Sequence, residues 1–158
     1  GAPTAHPPKK LLDRLKSALD EQGVHLYSTP RGESFFLDAI AQYMKRRFNV
    51  ELDSKSEIAS LIGSKEGLAN FLRALINPTT DDSEKEVVFV PDPGYASYGQ
   101  MIEIAGGKSF PIPLTPENNY LPNLDDVWND YINKDGKPEK VKAVIINMIF
   151  SKKNQIYL

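Results

Sequence analysis

Glu57-Ile58-Ala59-Ser60-Leu61-Ile62-Gly63-Ser64-Lys65-Glu66-Gly67-Leu68-Ala69-Asn70-Phe71-Leu72-Arg73-Ala74-Leu75 changes its periodicity part-way along. Up to Ile62 it is a short, mostly apolar run that suits a buried strand. From Leu68 onward, Leu68, Phe71, Leu72 and Leu75 keep the three/four spacing of one helix face. Gly63 and Gly67 therefore fall where a strand turns into a helix. The first N–H groups of a helix find no acceptor within it, and they sit at the positive end of its dipole. Two readings follow: a seat for a phosphate or other anion, or a glycine turn that only lets helix and strand pack.

Outward from this stretch the chain keeps alternating. On its N-terminal side, Pro7 and Pro8 introduce Leu11, Leu12, Leu15, Ala18 and Leu19 on one face, which predicts an amphipathic helix closing at Gly23. Arg31-Gly32 reads as a turn, and Ser34 as the N-cap of a second helix to about Phe48. Phe35, Phe36, Ala39, Ile40, Tyr43 and Phe48 would line its buried side, with Asn49 ending it in the left-handed conformation. On the C-terminal side, Val87 to Val90 is short, apolar and β-branched, as in a strand buried on both faces. Pro91-Asp92-Pro93-Gly94 closes it, and Tyr95, Tyr98, Met101, Ile102 and Ala105 have helical spacing. Phe110 to Leu114, interrupted by proline, reads as an edge strand; Leu124 to Ile132 as a helix; and Val141 to Ile146 as a buried strand. Strand and helix thus alternate from Ile58. The expected fold is α/β, a mostly parallel sheet with helices on both faces, and ligands of such sheets sit at the carboxyl ends of the strands.

The 158 residues are the length of one ordinary domain, or a piece of a larger one. A formal charge of −2 gives no basic footprint for nucleic acid or an anionic membrane. The absence of cysteine, and two distant histidines, His6 and His25, offer neither disulfides nor a metal-ligand spacing. No apolar run approaches the ~20 residues of a membrane span and no signal-peptide pattern is present, so a cytoplasmic location is expected. Neither the nucleotide P-loop nor the dinucleotide glycine pattern occurs, so an anion at Gly63 belongs to another ligand class.

Five blocks, taken together, resemble the class I/II pyridoxal-phosphate aminotransferases, especially the aspartate and LL-diaminopimelate subgroup. They are Tyr27 to Gly32, Ala39 to Tyr43, Gly63 to Leu68, Pro91 to Tyr95 with Tyr98, and Pro113-Leu114 with Glu117-Asn118-Asn119. The resemblance runs from about Pro7 to Asn147 and implies the first half of the large domain of a fold-type I enzyme. It implies that Gly63, Ser64 and Lys65 form the cup for the pyridoxal 5'-phosphate phosphate, that Tyr95 stacks on the pyridine ring, and that Tyr27 reaches the neighbouring subunit's cofactor in a homodimer. Lys65 can equally be a solvated lysine of the first helical turn, and Tyr95 a core residue of its helix. Tyr98, Asn118 and Asn119 are read as packing or turn residues.

The departures matter as much. After Ile145-Ile146-Asn147 the family continues Tyr-Pro-Asn-Asn-Pro-Thr-Gly, whereas here Met148 to Leu158 matches nothing in that pattern. The family's arginine for the substrate carboxylate, its aspartate for the pyridine nitrogen and its cofactor-bearing lysine have no counterpart, so no catalytic residue is assigned. The leading arm is absent or altered around Gly1 to Ala5. Three parts result: an N-terminal helical segment (1–57), a partial cofactor-binding α/β domain (58–147) and an unmatched tail (148–158). Complete relatives would exchange amino groups between amino acids and 2-oxo acids; this chain is expected to be inactive alone and to self-associate through an exposed sheet edge. The competing expectation is a non-catalytic α/β module that binds another phosphorylated ligand or a protein partner.

Overall fold

A computed structural model describes residues 4–147, so the tail at 148–158 lies outside the described residues. The chain forms two compact units, residues 1–60 and 61–158.

In the first unit, α1 spans Lys9–Ala18 and α2 spans Ser34–Phe48. Helix α1 ends sooner than its spacing predicts, and Leu19 to Gly23 continue as turns. Glu33, not Ser34, occupies the N-cap of α2, while Asn49 ends the helix at φ 55°, ψ 33° as expected. The expected buried side of α2 is corrected: Leu37 alone is buried, whereas Phe35, Phe36, Tyr43 and Phe48 are exposed. Periodicity identifies an apolar face but not what covers it. Between the helices, Gly32 sits at φ 101°, where a Cβ would lie 2.2 Å from Ser60 Oγ. The turn is therefore closed to larger residues. Arg31 secures it by donating to the carbonyls of Lys55 and Ile58 while its own carbonyl accepts from Ser60 N.

The second unit holds α3 (Ser64–Leu75), β1 (Val87–Asp92), α4 (Ser97–Ile104), β2 (Lys108–Pro113), α5 (Leu124–Asn133) and β3 (Val141–Val144). The three strands form one parallel sheet in the order β2-β1-β3. Successive side chains of a strand point to opposite faces, and β1 is apolar on both. Val88 packs with Leu72 and Ile76 from the α3 end and with Met101, Ile102 and Ala105 from α4. Val87 and Phe89 pack with Ile112, Val127 and Tyr131 on the α5 side. Helices thus cover both faces, as the alternation predicts.

The strand expected at Ile58 to Ile62 does not form. Residues 57–62 pair with none of the three strands, and Ile62 is fully exposed. A strand exists only with a ladder partner, and this stretch meets none among the described residues. The expected burial of β3 is also corrected. It is an edge strand, with Val144 41% and Ile146 54% exposed, because no neighbour lies beyond it among the described residues.

One buried carboxylate ties these elements together. Glu86, just before β1, accepts from Asn77 N at 2.8 Å, from Asn77 Nδ2 at 2.9 Å and from Lys142 Nζ of β3 at 2.9 Å. Burial alone would raise its pKa; the hydrogen bonds from Asn77 and the Lys142 ammonium outweigh burial and bring it from 4.5 to about 2. A folded-state value below the unfolded one stabilises the fold at neutral pH, and that contribution is lost as pH falls from 4.5 towards about 2. Glu86→Gln is expected to lower stability at pH 7 by about 2 kcal/mol and to flatten stability against pH across that window, measured by urea unfolding at several pH values.

Candidate functional site

The site is built where β1 ends and α3 begins. Gly63 is the N-cap of α3 in extended conformation (φ −174°, ψ 158°), and Ser64 and Lys65 are the first two helical residues. The first intrahelical acceptor, Gly63 O, is taken by Gly67 N at 3.2 Å. The N–H groups of Ser64, Lys65 and Glu66 therefore precede the helical ladder. Glu66 is turned to other work: its carboxylate accepts from Ile62 N at 3.1 Å and from Asn70 Nδ2 at 3.0 Å. Apart from its own chain neighbours, no described atom lies within 4 Å of where a Cβ on Gly63 would stand.

Tyr95 follows the Pro91-to-Gly94 turn at the carboxyl end of β1 and precedes α4, which begins at Ser97. A Cβ on Gly94 would stand 2.2 Å from Pro91 O, so the turn can be this tight only with glycine. Tyr95 is 46% exposed, which removes the core reading of its ring. The Lys65 ammonium lies 5.4 Å from the Tyr95 ring centroid. Hydrogen bonding by Lys65, then by Ser97, holds the Tyr95 hydroxyl below the ordinary tyrosine value of 10.0. Tyr95 also meets Tyr98 edge to face, 5.5 Å between centroids at 76°. Gly63, Ser64, Lys65 and Tyr95 are thus brought together. Tyr27 belongs to the first unit, where it is fully exposed in the loop before α2.

Sequence reading left out two features. Asn147, just past β3, donates from Nδ2 to the Tyr98 hydroxyl at 2.9 Å; its place at the end of a strand was the only signal for it. A shallow apolar hollow at the carboxyl ends of all three strands, lined by Pro91, Ile112, Leu114, Tyr120, Ile145 and Asn147, does not include the Gly63 cup. Asn118 and Asn119 are turn residues, as expected: Asn118 Oδ1 accepts from Thr115 N at 2.9 Å, and Asn119 has φ 56°.

The sequence profile of the aminotransferase class I and II family matches residues 1–152. The chain belongs to this family. It is 40% identical over 134 residues to the LL-diaminopimelate aminotransferase of Aquifex aeolicus, covering 85% of this chain and 33% of that protein. With the LL-diaminopimelate aminotransferase of Syntrophobacter fumaroxidans it shares 42% over 130 residues, 82% of this chain and 32% of the other. The aromatic aminotransferase structure from Pyrococcus horikoshii superposes with a TM-score of 0.77 at 28% identity, over 91% of this chain and 35% of that one. This aminotransferase chain therefore spans about a third of the length of the relatives it matches. Its parallel sheet with helices on both faces is the first part of the fold-type I large domain.

The pyridoxal phosphate implied by the resemblance fits what the residues offer. Amides that precede the helical ladder at the start of α3, and a half-exposed aromatic ring 5.4 Å from the ammonium of a first-turn residue, suit a phosphate joined to a flat ring. Lys65→Met is expected to move the Tyr95 titration upwards, back towards 10.0, because its largest lowering partner is gone; NMR of the ring resonances against pH measures this.

Proposed function

We propose that this chain is the cofactor-phosphate part of an aminotransferase, holding pyridoxal 5'-phosphate at the start of α3 and against Tyr95. The observation that carries this reading is that Lys65, in the first turn of α3, brings its ammonium to 5.4 Å from the Tyr95 ring centroid, so that the start of α3 and the turn after β1 meet. When bound, this cofactor supplies the aldehyde that carries an amino group and a ring that accepts electrons. The backbone amides of Ser64 and Lys65 and the Ser64 hydroxyl would take the phosphate, with the positive end of the α3 dipole behind them. Tyr95 would orient the ring. The Lys65 ammonium, directed to Tyr95, adds positive potential beside the cup.

The complete aminotransferase would move amino groups between an amino acid and a 2-oxo acid in the cytoplasm, as a homodimer in which Tyr27 of one subunit serves the site of the other. Full exposure of Tyr27 supports that role, and no helix among the described residues is long and apolar enough to cross a membrane. The names of the similar relatives make LL-diaminopimelate the first amino acid to test. The 158 residues alone are proposed to bind but not to transaminate, because none of their lysines stands in the family's attachment motif.

Thermal unfolding with added ligands tests this. Pyridoxal 5'-phosphate at ~100 times its Kd stabilises by about 2.7 kcal/mol, a rise of several degrees. Ser64→Ala is expected to weaken binding about 10-fold, and no transamination of LL-diaminopimelate with a 2-oxo acid should be detected. Stabilisation by nucleotides and not by pyridoxal 5'-phosphate would instead support a module for another phosphorylated ligand.

A further inference from the structure

Tyr98 is 7% exposed and sits in the first turn of α4, three residues after Tyr95. A buried tyrosine needs a partner for its hydroxyl, and here Asn147 supplies it: Nδ2 donates to Oη at 2.9 Å. The bond joins residues that are 49 apart in sequence, one on α4 and one just beyond β3. The Tyr98 ring meets the Tyr95 ring at 76°, 5.5 Å between centroids, the edge-to-face arrangement that aromatic quadrupoles favour. Tyr95 is otherwise on an exposed turn, and the Lys65 ammonium lies 5.4 Å from its ring centroid. Left to the turn alone, a half-exposed ring samples several rotamers, and fixing it is what preorganises a stacking surface.

We propose that Tyr98 and Asn147 are positioning residues for the Tyr95 ring: the Asn147 amide fixes the Tyr98 hydroxyl, and the Tyr98 ring edge fixes the platform on which a flat ligand stacks. This rests on the reading of Tyr95 as the cofactor's stacking partner, but the arrangement of the three side chains can be tested without the cofactor. Neither residue need touch the ligand. Their effect falls on ring stacking and not on phosphate capture, because the phosphate donors are backbone groups of α3.

The full chain, labelled with 13C-tyrosine, is compared with Asn147→Ala and with Tyr98→Phe, which keeps the ring and removes only the hydroxyl. In both variants the Tyr95 ring resonances, assigned by their loss in Tyr95→Leu, are expected to shift. Pyridoxal 5'-phosphate should bind about 3- to 10-fold more weakly in each, with inorganic phosphate unchanged. The double variant should be no weaker than either single one, because both remove the same bond. Unmoved Tyr95 resonances in both folded variants would overturn the proposal, as would equal weakening of pyridoxal 5'-phosphate and inorganic phosphate. If the unaltered chain fails to bind pyridoxal 5'-phosphate, the cofactor reading falls, and the Tyr95 resonances alone decide whether Asn147 and Tyr98 position that ring.

Discussion

Strand β1 must be covered on both faces and bonded on both edges, and the rest of the second unit answers that demand. Val88 is completely buried on one face and Phe89 nearly so on the other. Water is kept from the first by α3 and α4 and from the second by α5. Removing an apolar side chain such as these from water contributes about 1.5–3 kcal/mol. Its N–H and C=O groups are met by β2 on one side and β3 on the other, both parallel. Glu86 completes the arrangement at the amino end of β1, where one carboxylate joins the exit of α3 to Lys142 of β3.

The candidate site is a consequence of that packing. A parallel strand delivers its chain to the carboxyl edge of the sheet, and β1 delivers Pro91 to Tyr95 there. Helix α3, held through Leu72 against Val88 and Ile102, brings its amino end to the same place. The start of α3 and the Tyr95 ring are therefore placed by the core. Lys65 and Tyr98 both lie against the Tyr95 ring, and Asn147 donates to the Tyr98 hydroxyl.

What could be read in the sequence is what local rules govern. The uninterrupted apolar run at Val87 to Val90 announces burial on both faces, and Tyr98, Met101, Ile102 and Ala105 are all buried as their spacing predicts. Asn49 reads as a left-handed terminator because its side chain tolerates that conformation. Properties that depend on a partner were not legible. Among the described residues, Ile58 to Ile62 has the composition of a strand but pairs with none, and the aromatics of α2 are exposed despite their helical spacing. Long-range polar bonds were equally hidden. Nothing near Glu86 in the sequence names Asn77 or Lys142, and nothing near Tyr98 names Asn147.

The start of α3 and the Tyr95 ring are proposed to form one binding site in this chain. Titrating the 15N-labelled chain with pyridoxal 5'-phosphate and following amide shifts tests it most directly. The account predicts that the amides of Ser64, Lys65 and Glu66 move furthest, with Tyr95 and Ala96 next, and that all saturate together. Shifts scattered over surface lysines without saturation, or centred on the hollow around Ile112 and Tyr120 while the α3 amides stay still, would contradict it.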